Sequence, residues 1–201
     1  ARGVTAIERD RNLVPLLRAE LLAAGIRNVT IIETDALALD LPELARGAGR
    51  PLTVFGNLPY NISSQIVIKL IESRRQILRA VLMFQKELAQ RLSAGPGGRD
   101  YGRITAMLTY CASVRHLAAV NAHNFFPPPK VDSEVVGVTC TEPRAFPIHD
   151  EAHQFRLIAA AFGKRRKTLK NALSASGLNL PPAAAAEALI RAGIDPTRRA
   201  E

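Results

Sequence analysis

Among the 201 residues, the group whose types and spacing say most about chemistry is Asn57-Leu58-Pro59-Tyr60, which follows the apolar run 52–56. An exocyclic amine of a nucleobase is a poor nucleophile, because its lone pair is delocalised into the ring. Two acceptors placed to take its hydrogens, the Asn57 side-chain oxygen and the Leu58 main-chain carbonyl, favour a pyramidal nitrogen whose lone pair is aimed at an incoming methyl group. Pro59 stiffens the turn, and with no N–H of its own it leaves the loop's carbonyls to point inward. Tyr60 offers a flat face for a flipped base. The same four residues also suit a plain strand-end turn capped by Asn57.

A second group is Asn124-Phe125-Phe126-Pro127-Pro128-Pro129-Lys130-Val131-Asp132-Ser133. An aromatic on a stiff proline loop suits clamping a base from its other face, with Lys130 meeting phosphate. Taken alone, a Phe-Phe pair beside prolines equally suits core packing. Glu8 and Asp35 form a third set, acids that close successive β-branched runs. A carboxylate there can accept from both hydroxyls of a ribose, and a second can accept from an adenine amine. Either acid alone also reads as a solvated strand-end residue.

The fourth group is Lys164-Arg165-Arg166-Lys167-Thr168-Leu169-Lys170, five cations in seven residues, expected on a helix and suited to phosphate. The chain as a whole has 27 Lys plus Arg against 18 Asp plus Glu, a net charge of +9. Residues 1–150 contribute +4 of that surplus and 151–201 contribute +5. Such a bias marks a polyanion partner, nucleic acid ahead of a membrane surface. The two cysteines, Cys111 and Cys140, form no CxxC, and the four histidines, His116, His123, His149 and His153, show no ligand spacing. No metal site is expected, the histidines read as structural, and a reducing cytoplasm is the expected compartment.

The elements that must position these groups alternate. Residues 3–8 read as a strand, 10–24 as a helix closed by Gly25, 28–33 as a strand, and 52–56 as another after a Leu/Pro connection. Residues 63–71 are expected helical and 78–84 extended, then 85–92 and 104–111 helical. Residues 114–120 and 131–140 suggest an antiparallel hairpin at a sheet edge. This pattern predicts an α/β fold, a parallel sheet with helices on both faces and ligands at the carboxyl ends of its strands, where Glu8, Asp35 and Asn57 fall. Residues 142–150 read as a linker, and 151–201 as three short helices broken at Pro181-Pro182. With 47% hydrophobic residues the chain can bury a core, and no apolar run approaches the roughly 20 residues that span a bilayer.

Taken together, four stretches resemble the KsgA (RsmA) family of ribosomal RNA adenine dimethyltransferases. They are Ala6-Ile7-Glu8-Arg9-Asp10, Gly56-Asn57-Leu58-Pro59-Tyr60-Asn61-Ile62-Ser63, Phe125 through Ser133, and Arg165-Arg166-Lys167-Thr168-Leu169-Lys170-Asn171-Ala172-Leu173. The resemblance implies a Rossmann-like class I methyltransferase domain over residues 1–141, using S-adenosylmethionine and no metal, and a small helical RNA-binding domain over 151–201. It implies that Glu8 holds the donor's ribose and Asp35 with Ala36 its adenine, with Arg9 and Asn57 also at the donor site, while Asn57 to Tyr60 hold the target amine and base and Phe125 the base's opposite face. RNA contacts would come from Lys130, Lys164, Arg165, Arg166, Lys167 and Lys170. The implied substrate is a pair of adjacent adenosines in a 3′-terminal hairpin loop of small-subunit rRNA, in an immature 30S-type subunit, each receiving two methyls from a monomeric enzyme.

The family also opens with a strand and a glycine-rich turn that approach the donor's methionine, and no such residues precede Ala1. The expectation is an upstream segment of at least about 40 residues, with weak donor binding and no activity for the 201 residues alone. Two rival readings stand beside this one: an Erm-like enzyme of large-subunit rRNA, whose relatives tend to carry Ile where Leu58 stands, and, from another class, a non-catalytic RNA-binding or ribosome-assembly factor, which the basic tail supports.

Overall fold

The computed structural model describes residues 3–140, 148–164 and 166–201. The chain forms two compact units, residues 1–52 and 53–201. In the first, β1 (Val4–Glu8) and β2 (Val29–Glu33) run parallel in register, Val4 opposite Val29 and Glu8 opposite Glu33, with α1 (Leu13–Ala23) as the crossover. Gly25 stops α1 at φ +67°, where its N–H reaches the Leu22 carbonyl and the Ile26 N–H reaches Leu21. A left-handed residue at that point satisfies two orphan carbonyls, and only glycine adopts it at no steric cost.

The Leu/Pro connection expected after β2 instead contains a helix, α2 (Leu41–Ala48). Asp40 caps it by accepting from the Glu43 N–H at 2.8 Å, and Pro42 sits in the first turn, where a missing N–H costs nothing. Leu41 and Ala45, one turn apart, are its buried face.

The second unit is built on a four-stranded sheet of order β3-β4-β6-β5, comprising β3 (Leu52–Asn57), β4 (Ile77–Gln85), β5 (Ala112–Val120) and β6 (Ser133–Cys140). The sheet is mixed, because β6 runs antiparallel to both β4 and β5. The expected hairpin exists, with β5 at the edge and β6 inside, and a register shift between His116 and Ala118 kinks the edge strand. Beside the sheet lie α3 (Ser63–Glu72), α4 (Lys86–Leu92) and α5 (Arg103–Cys111). Leu82, Phe84, Leu92, Met107, Leu108 and Val136 are almost wholly removed from water and make the core.

Three further helices follow, α6 (Glu151–Phe162), α7 (Leu169–Ser174) and α8 (Pro182–Arg191). They share a small core of Ala160, Leu173, Ala185 and Leu189. α6 is tied to the sheet side of the unit. Arg74, 8% exposed, pairs with Glu151 and lies 5.8 Å from the Phe155 ring, which meets Tyr110 edge-on at 6.0 Å. Residues 142–147 of the expected 142–150 linker lie outside the described residues. Residues 151–201 fall in the same compact unit as the sheet of β3 to β6.

Candidate nucleotide and methyl-transfer site

In the first unit, Glu8 closes β1 and folds its carboxylate back on the turn that follows. Its Oε1 accepts from the Arg9 and Asp10 N–H groups, each at 2.7 Å, which fixes the side chain. Thr34 N–H donates to the Glu8 carbonyl at 3.0 Å, so the turn after β2 is held beside it. Asp35 lies in that turn. Its Oδ1 accepts from the Leu37 N–H at 2.8 Å and its Oδ2 from Arg9 Nη1 at 3.1 Å. The Leu37 amide holds the Asp35 carboxyl below the ordinary carboxylate range; desolvation pulls the other way, and the Arg9 guanidinium adds to the lowering. Glu8, Arg9 and Asp35 are thus brought together, with Ala36 half-buried next to Asp35. Arg9, 77% exposed, orients Asp35 through this ion pair.

In the second unit, Asn57 is the last residue of β3 and is exposed, whereas Leu58 and Tyr60 are half-buried. The turn depends on Gly56. A Cβ there would come within 3.0 Å of both Leu58 Cδ2 and Leu82 Cδ2, so the missing side chain lets Leu58 pack back onto the sheet. The expectation that Pro59 leaves the carbonyls of the loop free holds only in part. Pro59's own carbonyl accepts from the Ile62 N–H and from the Ser63 hydroxyl, both at 3.2 Å, and so starts α3. Among the described residues the Leu58 carbonyl takes no such bond, which leaves it as an acceptor beside Asn57.

The Phe125 to Ser133 segment joins this turn directly: the Tyr60 and Ser133 hydroxyls are 2.9 Å apart. The loop is braced at its base, Asp132 accepting from the Ala122 N–H through Oδ1 and from the Lys86 N–H through its carbonyl, both at 3.0 Å. Phe125 is half-buried and Lys130 exposed. The Tyr60–Ser133 contact therefore ties the Asn57–Tyr60 turn to the segment that carries Phe125.

The basic segment departs from its expected helix. α6 stops at Phe162, residues 163–164 and 166–168 are irregular, and Arg166 has φ +65°; of the four cations of this segment among the described residues only Lys170 is helical. Arg165 lies outside the described residues. Lys164, Arg166 and Lys167 are exposed. Two further cations reach this loop without having been anticipated. Leu169 N–H donates to the Arg198 carbonyl at 2.7 Å and Lys170 N–H to that of Pro196 at 3.3 Å, so exposed Arg198 lies against the start of α7, followed by exposed Arg199, which pairs with Glu201 at 3.4 Å. The sequence signal was the Asp195-Pro196-Thr197 turn, in which Asp195 accepts from Thr197 N–H and Oγ1. His116 is placed structurally, between Ser93 Oγ at 2.6 Å and Glu134 Oε1 at 2.7 Å. Burial pushes the Cys140 thiol up, with Arg74 pulling the other way. Among the described residues no three of His, Cys, Asp or Glu are grouped to hold a metal, and no helix is long and apolar enough to cross a membrane.

An α/β fold with acids after β1 and β2 and an Asn-Leu-Pro-Tyr turn after β3 defines a Rossmann-like methyltransferase. All 201 residues match the family Ribosomal RNA adenine dimethylase, and the chain belongs to that family of S-adenosylmethionine-dependent enzymes. Ribosomal RNA small subunit methyltransferase A of Desulforapulum autotrophicum is 48% identical over 201 residues, covering all of this chain and 70% of that protein. Its counterpart in Geobacter sulfurreducens is 42% identical over 203 residues, covering 100% and 72%. Among solved structures, a dimethyladenosine transferase from Plasmodium falciparum superposes with TM-score 0.74 at 27% identity, covering 98% of this chain and 76% of that one. The 23S rRNA methyltransferase ErmE gives 0.65 at 25%, covering 98% and 75%.

Proposed function

We propose that this protein dimethylates the N6 amines of two adjacent adenosines in a 3′-terminal hairpin loop of small-subunit rRNA, acting as a monomer on the immature 30S-type subunit in the cytoplasm. Glu8 accepts from the ribose hydroxyls of S-adenosylmethionine, and Asp35 and Ala36 meet its adenine. The pinned carboxylates of Glu8 and Asp35 fit a nucleoside, since each is fixed by backbone amides before a ligand arrives. When bound, the donor supplies a methyl on a positively charged sulfur. Asn57 Oδ1 and the Leu58 carbonyl hold the two hydrogens of the target amine, Tyr60 stacks on one face of the base and Phe125 on the other. The amine nitrogen forms its bond to the methyl carbon as the carbon–sulfur bond breaks, the electron pair stays on sulfur, and the nitrogen's proton leaves to Asn57, a carbonyl or water. Lys130, Lys164, Arg165, Arg166, Lys167 and Lys170 take RNA phosphates, joined by Arg198 and Arg199.

The observation that most supports this reading is the Tyr60–Ser133 bond, which unites the amine-holding turn with the aromatic loop. The small-subunit substrate is favoured by relatives at 48% and 42% identity that bear that name, against 25% for ErmE. The test is label transfer by the full-length protein from tritiated S-adenosylmethionine into immature small subunits and, separately, into large-subunit rRNA. Label in the small subunit alone is expected, with Asn57→Ala lowering turnover about 100-fold or more while RNA affinity stays within about twofold. Label only in large-subunit rRNA, or equal losses of turnover and affinity, would overturn it.

A further inference from the structure

We infer that Phe126 is a stacking platform for the nucleobase next to the one being methylated, so that the Phe125–Lys130 loop grips two consecutive bases rather than one. The inference rests on the proposed RNA substrate and adds a binding site to it. Phe126 is the most exposed large apolar side chain among the described residues, with a relative exposure of 101%. A phenyl ring held wholly in water forgoes the stabilisation that burial would bring. Its neighbour Phe125 is half-buried, and the backbone at Phe125 is extended, φ −115° and ψ 152°. Successive side chains on extended backbone leave on opposite sides. Two rings so arranged do not close on the same base, and Phe126 addresses a different one.

The surroundings identify the occupant as single-stranded nucleic acid. The loop is hydrogen-bonded at both ends: Phe125 N–H donates to the Ala122 carbonyl at 3.2 Å, Asp132 accepts from the Ala122 and Lys86 N–H groups, and Ser133 is bonded to Tyr60. A ring presented on such a frame loses little conformational freedom when a base stacks on it. Lys130, exposed four residues on, supplies the charge that a backbone phosphate needs, and the chain carries +9 overall. An exposed aromatic with a nearby cation is the usual device for holding unpaired bases without reading their edges.

The experiment uses two RNA hairpins in which 2-aminopurine replaces either the target adenosine or its neighbour. With the unaltered protein, binding should change the fluorescence of both. Phe126→Ala should abolish the change at the neighbouring position, keep it at the target, and weaken RNA binding about tenfold, with Phe126→Trp restoring both. An unchanged neighbour signal would overturn the assignment. So would a lowered melting temperature of Phe126→Ala, which would mean that the ring packs against protein, or a Phe126→Ala defect seen only with a protein partner. Failure of the substrate reading would show differently, as absence of methyl transfer and of target-position signal in the unaltered protein.

Discussion

The Tyr60 hydroxyl lies 2.9 Å from the Ser133 hydroxyl, closing 73 residues of chain with one bond between the end of β3 and the start of β6. Ser133 is 1% exposed, so its hydroxyl depends on that partner. Tyr60→Phe should lower stability by about 1 to 2 kcal/mol, because it strands a buried polar group, and should slow methyl transfer by loosening the loop. Adding Ser133→Ala should recover part of the loss. Denaturant unfolding of both single variants and the double variant measures the coupling.

The loop between α6 and α7 and the turn at Pro196 to Arg199 present one cationic surface joined by backbone hydrogen bonds. Arg166→Ala with Lys167→Ala, and separately Arg198→Ala with Arg199→Ala, should each weaken RNA binding and flatten its dependence on salt. The slope of log affinity against log salt should fall by about 0.7 to 0.9 for each cation that meets a phosphate. Binding titrations at several salt concentrations decide it; an unchanged slope removes that pair from the RNA surface.

Arg74 and Glu151 form a largely buried pair that anchors the first turn of α6. Glu151→Ala leaves the guanidinium buried and should cost about 3 kcal/mol, while replacing both residues by apolar ones of similar volume should cost far less. Equilibrium unfolding checks this, and a near-zero cost for the single variant would show that the pair does not anchor the helix.

Asp35 titrates below the ordinary carboxylate range chiefly because the Leu37 amide donates to it, and then because of Arg9. A depressed folded-state value means that the ionised carboxylate favours the folded turn above the ordinary carboxylate pKa, and that this contribution disappears as pH falls through the depressed value. Carboxyl NMR titration should find the Asp35 midpoint low in the unaltered protein. Arg9→Ala should raise it only part of the way, since the Leu37 amide remains.

Much of the architecture was legible from periodicity. The strands of 4–8, 29–33 and 52–57 and the helix ended by Gly25 lie within a few residues of expectation, because β-branched runs and a left-handed glycine act locally. α2 was missed although Asp40-Leu41-Pro42-Glu43 spells a capped first turn; eight residues containing Pro42 and Gly47 carry too little apolar pattern to outweigh a loop reading. The basic segment was misread for the opposite reason. Its residue types favour a helix, but α6 ends at Phe162, and Arg166 takes a left-handed conformation that propensity does not foresee.

Composition and local order by themselves determined which chemistry the chain carries: an amide and a carbonyl on a proline turn, aromatics on a proline loop, acids at strand ends, and a basic C-terminal quarter. Those properties reside in side-chain types and in neighbours a few residues apart. Only the tertiary structure decided which groups meet. Nothing local announces that Tyr60 bonds Ser133, that Arg9 holds Asp35, or that Arg198 comes to rest on Leu169. Each such pairing joins segments 26 or more residues apart, and is selected by the packing of whole elements rather than by the residues that touch.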